Sequence, residues 1–145
     1  NVIKEFYTKT GMNSIVLLKS GILKMNNCIL SLDGLTKEMH LKVPCIVAMP
    51  NSSFEIFHCN FKGDTLNESN TCGILSLKAD TTIHECSFAH FKSGAIMVDC
   101  KPENHCVISE NIIMSCMTAG IFIQGKAPNH KSKVTKSDSA DAQQL

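Results

Sequence analysis

One short phrase, said four times over, predicts an all-β stack for this chain. The first observation is an alignment: Met25, Cys28 and Leu30 match Ile56, Cys59 and Phe61, then Ile83, Cys86 and Phe88, then Ile108, Asn111 and Ile113. The second is the spacing. The steps from Cys28 to Cys59, to Cys86 and to Asn111 are 31, 27 and 25 residues, and self-similarity at a period of a few tens of residues marks a stacked, repeat-built fold. The third is strand character. The apolar runs are short and rich in Ile, Val, Phe and Leu, with no helical periodicity of useful length. Three such strands per unit fit the coils of a parallel β-helix, about four to five coils in this length, each strand pairing with its equivalent one coil on.

Taken in order, residues Asn1 to Asn13 read as an incomplete unit whose apolar members are Val2, Ile3, Phe6 and Tyr7. Ile15 to Leu18 is the first clear strand, closed by a turn at Lys19-Ser20-Gly21. Leu23 to Leu30 is the first Cys-bearing strand pair. The stretch Asp33 to Pro44 reads as a surface loop, as does Lys62 to Thr71, because both are rich in turn-forming and polar residues. Between them lie the strand Cys45 to Met49, the turn Pro50-Asn51 and the pair Phe54 to Phe61. Gly73 to Leu77, Ile83 to Phe88, Gly94 to Val98, Cys106 to Ile113 and Gly120 to Ile123 continue the pattern, with Pro and Asn in the later turns. The expected domain is therefore residues 1–130, first and last coils incomplete. Residues 131–145, mostly Lys, Ser, Asp, Ala and Gln, read as a polar tail or linker; the alternative is that Lys133-Val134-Thr135 opens one more strand.

Composition excludes several classes. At 145 residues and 43% hydrophobic the chain is long enough for one real core. A formal charge of +1 gives no electrostatic case for nucleic acid or an anionic membrane. All the basic residues are Lys and none is Arg, the usual choice for gripping carboxylates and phosphates. No apolar run approaches the roughly 20 residues of a spanning helix. The chain opens on Asn1 rather than Met, with no leader pattern, so it is expected to be part of a longer polypeptide. Its eight Cys invite a disulfide framework, but Cys28, Cys59 and Cys86, with Asn111, occupy one repeat position, and Cys45 and Cys72 another. Columns of that kind predict a buried core ladder of free thiols, which favours a reducing compartment.

The pattern Ile-x-x-(Cys/Asn)-x-(Phe/Ile), a short loop, then Gly-Ile-x-Ile or its near equivalent, in Ile83 to Val98 and Ile108 to Ile123, resembles the right-handed parallel β-helix repeat of the pectin-lyase-like superfamily. The resemblance covers about Ile15 to Gln124. The Cys-rich, Lys-Ser-Gly and Met-Pro-Asn-Ser turns resemble its non-enzymatic intracellular branch, the Shc-binding and Nessun Dorma proteins and the F-box proteins with β-helix repeats. The resemblance implies a right-handed coil and a cytoplasmic, cytoskeletal or axonemal setting.

Catalysis is not expected. Polysaccharide hydrolases of this fold carry clustered Asp pairs, a His-Gly and an Arg or Lys, by resemblance, and no Asp-Asp, Asn-Thr-Asp or Gly-His-Gly occurs here. Asp80 and Asp99 fall in turns after the Gly-entered strand, and Glu85 and Glu110 align one residue before the Cys/Asn column; both pairs read as solvated turn residues. His58-Cys59, His84-x-Cys86 and Cys100, His105, Cys106 place metal-ligating types close together, but at spacings that match no zinc module. No metal, cofactor or small-molecule substrate is expected. The Gly-entered strand carries the functional expectation, because both its faces are apolar, as in a sheet covered on both sides. One face lines the coil. The other, read as Ile15, Leu17, Ile46, Ala48, Ile74, Ser76, Ala95, Met97, Ile121 and Ile123, is the candidate interaction face, covered by other proteins or by missing parts of the same chain. The expected role is a non-catalytic scaffold; a carbohydrate-active or carbohydrate-binding β-helix is the alternative.

Overall fold

A computed structural model describes residues 14–33, 44–65, 72–116 and 120–125, with the backbone of 132–134 and 142–144. The unit read at Asn1 to Asn13 and most of the loops after Asp33 and Lys62 lie outside the described residues. The strands run β1 (Val16–Leu18), β2 (Gly21–Asn26), β3 (Ile29–Ser31), β4 (Ile46–Ala48), β5 (Ser52–Phe57), β6 (Asn60–Lys62), β7 (Cys72–Leu77), β8 (Asp80–His84), β9 (Ser87–Ala89), β10 (Gly94–Cys100), β11 (Cys106–Ser109), β12 (Ile112–Met114), β13 (Ile121–Gly125), β14 (Ser132–Val134) and β15 (Ala142–Gln144).

Through β14 every third strand pairs with its counterpart, and β15 pairs with β13, always in parallel. The first sheet runs β1-β4-β7-β10-β13-β15, the second β2-β5-β8-β11-β14 and the third β3-β6-β9-β12. Four coils thus carry three strands each, and β13 and β14 begin a fifth. The aligned quartet holds at residue level: Met25, Ile56, Ile83 and Ile108 stack in the second sheet, and Leu30, Phe61, Phe88 and Ile113 in the third. β14 pairs with β11 and β15 with β13, so strands occupy part of the stretch read as a tail.

Period-2 alternation decides what lies inside. In β5 and β8 alternate residues are buried, and Phe54, Ile56, Thr81 and Ile83 point into the coil. Equivalent side chains then lie one strand spacing apart, which lets identical shapes stack: Phe61 and Phe88 are parallel with centroids 4.7 Å apart. Gly73 is needed for that packing, because a Cβ there would stand 2.8 Å from the Ala95 carbonyl oxygen and 2.9 Å from the Phe88 ring. One buried polar pair turns the corner between the first and second sheets. Ser76 Oγ lies 2.8 Å from Thr81 Oγ1, which donates to the Ala79 carbonyl.

Two expectations about register are corrected. Ile46 pairs with Ile74, which sets Cys45 opposite Gly73 and takes Cys45 and Cys72 out of a common column. The expected interaction face also mixes two faces. The inward column of the first sheet is Val16, Ile46, Ile74, Ile96 and Ile121, followed by Leu18, Ala48, Ser76, Val98 and Ile123. A slip of one residue at Ile15 and Ala95 exchanges faces, because side chains alternate with period 2. Ile46, Ala48, Ile74, Ser76, Ile121 and Ile123 are therefore buried interior residues, and Ala95, at the start of its strand, is buried against the same core cluster.

Candidate functional site

The corner between the second and third sheets is where the repeat carries its chemistry. Each coil turns there through one residue in the left-handed region: Asn27, His58, Glu85 and Glu110, with φ of 58°, 53°, 51° and 55°. That conformation interrupts strand alternation, so the left-handed residue projects outward and the next one, Cys28, Cys59, Cys86 or Asn111, sits on the inward side. Two columns of opposite character result.

The inner column links coils through the main chain. The Cys28 N–H donates to Cys59 Sγ at 3.4 Å, and the Cys86 N–H to Asn111 Oδ1 at 2.8 Å. Each acceptor side chain thus satisfies an amide one coil away, which a strand ladder interrupted by a turn leaves without a partner. The same side chains donate as well: Cys59 Sγ to the Phe57 carbonyl, Cys86 Sγ to the His84 carbonyl and Asn111 Nδ2 to the Ile83 carbonyl. Asn111 can take the place a Cys holds on the earlier coils because, like Cys59, it accepts from one amide and donates to one carbonyl. Burial pushes the Cys86 thiol up to about 11 and the Cys45 thiol up to about 12 from an ordinary 9.0. All eight Cys are free thiols.

The outer column gathers ligating groups from three coils. Glu85 Oε1 lies 3.1 Å from His84 Nε2, and Glu85 Oε2 lies 3.1 Å from His58 Nδ1. Glu110 Oε2 reaches to 3.9 Å from His84 Nε2. The far nitrogen of His84, Nδ1, is 2.7 Å from Ser109 Oγ, and its ring meets Phe57 edge-on at 6.1 Å. A shallow concavity lined by His58, Asn60, Glu85, Ser87, Glu110 and Ile112 opens beside the carboxylates. The sequence aligned Glu85 with Glu110 and noted His58 and His84 only beside their Cys neighbours. What joins all four is the register, which puts His58, Glu85 and Glu110 at one position on successive coils and His84 one residue before it.

The other sequence candidates do not converge. Asp99 pairs with Leu77 in the first sheet, whereas Asp80 opens the second sheet opposite Ser53, so the two Asp are not equivalent on adjacent coils. Asp80 Oδ1 accepts from Asn104 Nδ2 and the His105 N–H, and so clamps the turn after β10. In the Cys100, His105, Cys106 group, His105 is exposed while both thiols are buried. Cys106 donates to Cys100, and this bond together with burial holds the Cys106 thiol well above 9.0.

Of the expected interaction face, Leu17 and Met97 do point out of the coil, in a column with Val47, Leu75 and Phe122. Val47, Leu75 and Met97 are nevertheless buried and packed with Cys72 and Leu77 in a second apolar cluster, so the chain itself covers the outer face over those coils. The exposed large apolar side chains lie elsewhere. Ile15, Leu17, Ile22 and Ile29 ring the first described coil, and Ile112 and Met114 stand on β12.

Compared with known proteins, the chain matches the family model described as "Right handed beta helix region" over residues 8–142. No curated protein and no solved structure matches it.

Proposed function

The chain belongs to the right-handed β-helix family, and from that premise we propose that it is a non-catalytic scaffold that docks another protein around its first described coil. The observation that carries the reading is the collar of apolar side chains there. Ile22 and Ile29 are 73% and 72% exposed, and Ile15 and Leu17 add apolar area on a third side of the same coil. A coil buried on the next coil along one edge and bare around its flanks is a surface that association would cover. A stack of coils supplies rigidity, holding that collar at a fixed position. The eight free thiols support a reducing compartment, and with the sequence resemblance they support a cytoplasmic, cytoskeletal or axonemal assembly as the setting.

Cross-linking mass spectrometry in a native extract tests the reading. Lys19 and Lys24 flank the collar, whereas Lys78 and Lys101 mark the later coils. Reproducible links from the first pair to one other polypeptide, lost when Ile22 and Ile29 are both changed to Lys, are the expected result. Links confined to the chain itself, or a partner retained by the double variant, would overturn it.

A further inference from the structure

We propose that His84, Glu85 and Glu110 form a binding site for a zinc-type divalent cation on the outer corner of the stack, with Ser109 and His58 holding two of the ligands in place. The donor set is the first argument. One imidazole and two carboxylates from two adjacent coils are ligands that zinc takes readily, and three protein ligands with an open position is a regular zinc arrangement. Calcium would call for six to eight oxygens, more than this corner brings together.

Spacing is the second argument. Two donors each at a bond length of 2.0–2.1 Å from a tetrahedral ion stand about 3.3 Å apart. The distances from His84 Nε2 to the Glu85 and Glu110 oxygens, 3.1 and 3.9 Å, bracket that value. The ligand atoms of all three residues lie within 4.8 Å of one another. Side-chain rotations that shift the donor atoms by about 0.5–1.5 Å bring them to that spacing, with no movement of the coil.

The third argument is how the ligands are held. Ser109 Oγ, 2.7 Å from His84 Nδ1, accepts its N–H when Nδ1 carries the proton, and this directs Nε2 with its lone pair toward the carboxylates. His58, 3.1 Å from the second oxygen of Glu85, fixes that carboxylate from the side away from His84. The backbone beneath is also tied between coils, with the His58 N–H on the His84 carbonyl and the Glu85 N–H on the Ser109 carbonyl, both at 3.2 Å. The concavity beside Glu85 and Glu110 leaves the fourth position open to water or to a side chain of another molecule.

Isothermal titration of chelator-stripped full-length chain with zinc chloride, repeated with cobalt(II) read by its visible absorption, tests the site. One-to-one saturable binding is expected, with at least about 100-fold loss in His84→Ala and Glu110→Gln, and about 10-fold loss in His58→Ala. His105→Ala, on a different corner, should leave affinity unchanged. Circular dichroism of each variant reports whether the stack is intact; should His84→Ala unfold, His58→Ala and Glu110→Gln carry the comparison. Absence of saturable binding, or equal binding by wild type and the folded variants, would overturn the proposal.

Discussion

Two columns of side chains stand one residue apart along the same corner of the molecule and behave as opposites. Cys59, Cys86 and Asn111 are turned inward and bond the main chain of neighbouring coils, whereas His58, Glu85 and Glu110 are turned outward and face one another. The left-handed residue at each turn creates the division, because it breaks the alternation that would otherwise carry a strand straight on. The lesson is that sequence neighbours in a solenoid share less than residues a full coil apart. Identity at the inner column is restricted to small side chains that both accept and donate. The outer column is restricted only by the chemistry of its neighbours, which leaves room for a site.

Breaking the inner column should have the largest effect. Asn111 is 2% exposed and bonds the Cys86 amide and the Ile83 carbonyl at once. Asn111→Leu keeps the branched shape and strands both groups in the interior, at a cost of about 1–3 kcal/mol each, so urea denaturation should show a loss of about 2–6 kcal/mol. A change under about 1 kcal/mol would mean that the column is packing alone.

Much of this was legible in advance, for a physical reason. The repeat positions Met25/Ile56/Ile83/Ile108 and Leu30/Phe61/Phe88/Ile113 are inward on every coil, so one apolar constraint acts on them all and survives degeneracy elsewhere. The first sheet was illegible in its faces. Val47 and Leu75 outside are as apolar as Ile46 and Ile74 inside, and nothing in the residue types tells a lined face from a covered one. The His–Glu cluster was half legible. The alignment put Glu85 beside Glu110, but that His84 reaches both depends on the left-handed turn, whose φ no residue type there demands. Asn27 suits that conformation and His58 tolerates it, while Glu85 and Glu110 adopt it against their usual preference.

Raising the pH should sharpen the contrast. Inside the fold the Cys86 and Cys45 thiols keep their protons to about 11 and about 12, whereas unfolded they would ionise near 9.0. The native state therefore binds more protons across that window, and the stability these thiols contribute is complete below pH 9 and lost as pH rises through it. Each thiol removes about 1.4 kcal/mol per pH unit in that range. Denaturation midpoints measured in reductant should hold steady from pH 7 to 9 and then drop, and Cys45→Ala should flatten the drop. A midpoint insensitive to pH up to 11 would contradict the buried inner ladder.

The smallest effect is expected from the outer column. Glu85→Gln removes the charge that both His58 and His84 face while leaving the turn backbone to a residue of the same shape. Glu85 and both imidazoles reach solvent, so water and salt screen their pairing, and exposed ion pairs contribute about 0–1 kcal/mol. In chelator at neutral pH the variant should unfold within about 0.5 kcal/mol of wild type. That outcome separates the columns: the inner one holds the coils together, and the outer one is free of that duty. A loss above about 1.5 kcal/mol would join them instead, making the carboxylate a clamp between coils two and three, and the two imidazoles would then be its structural partners.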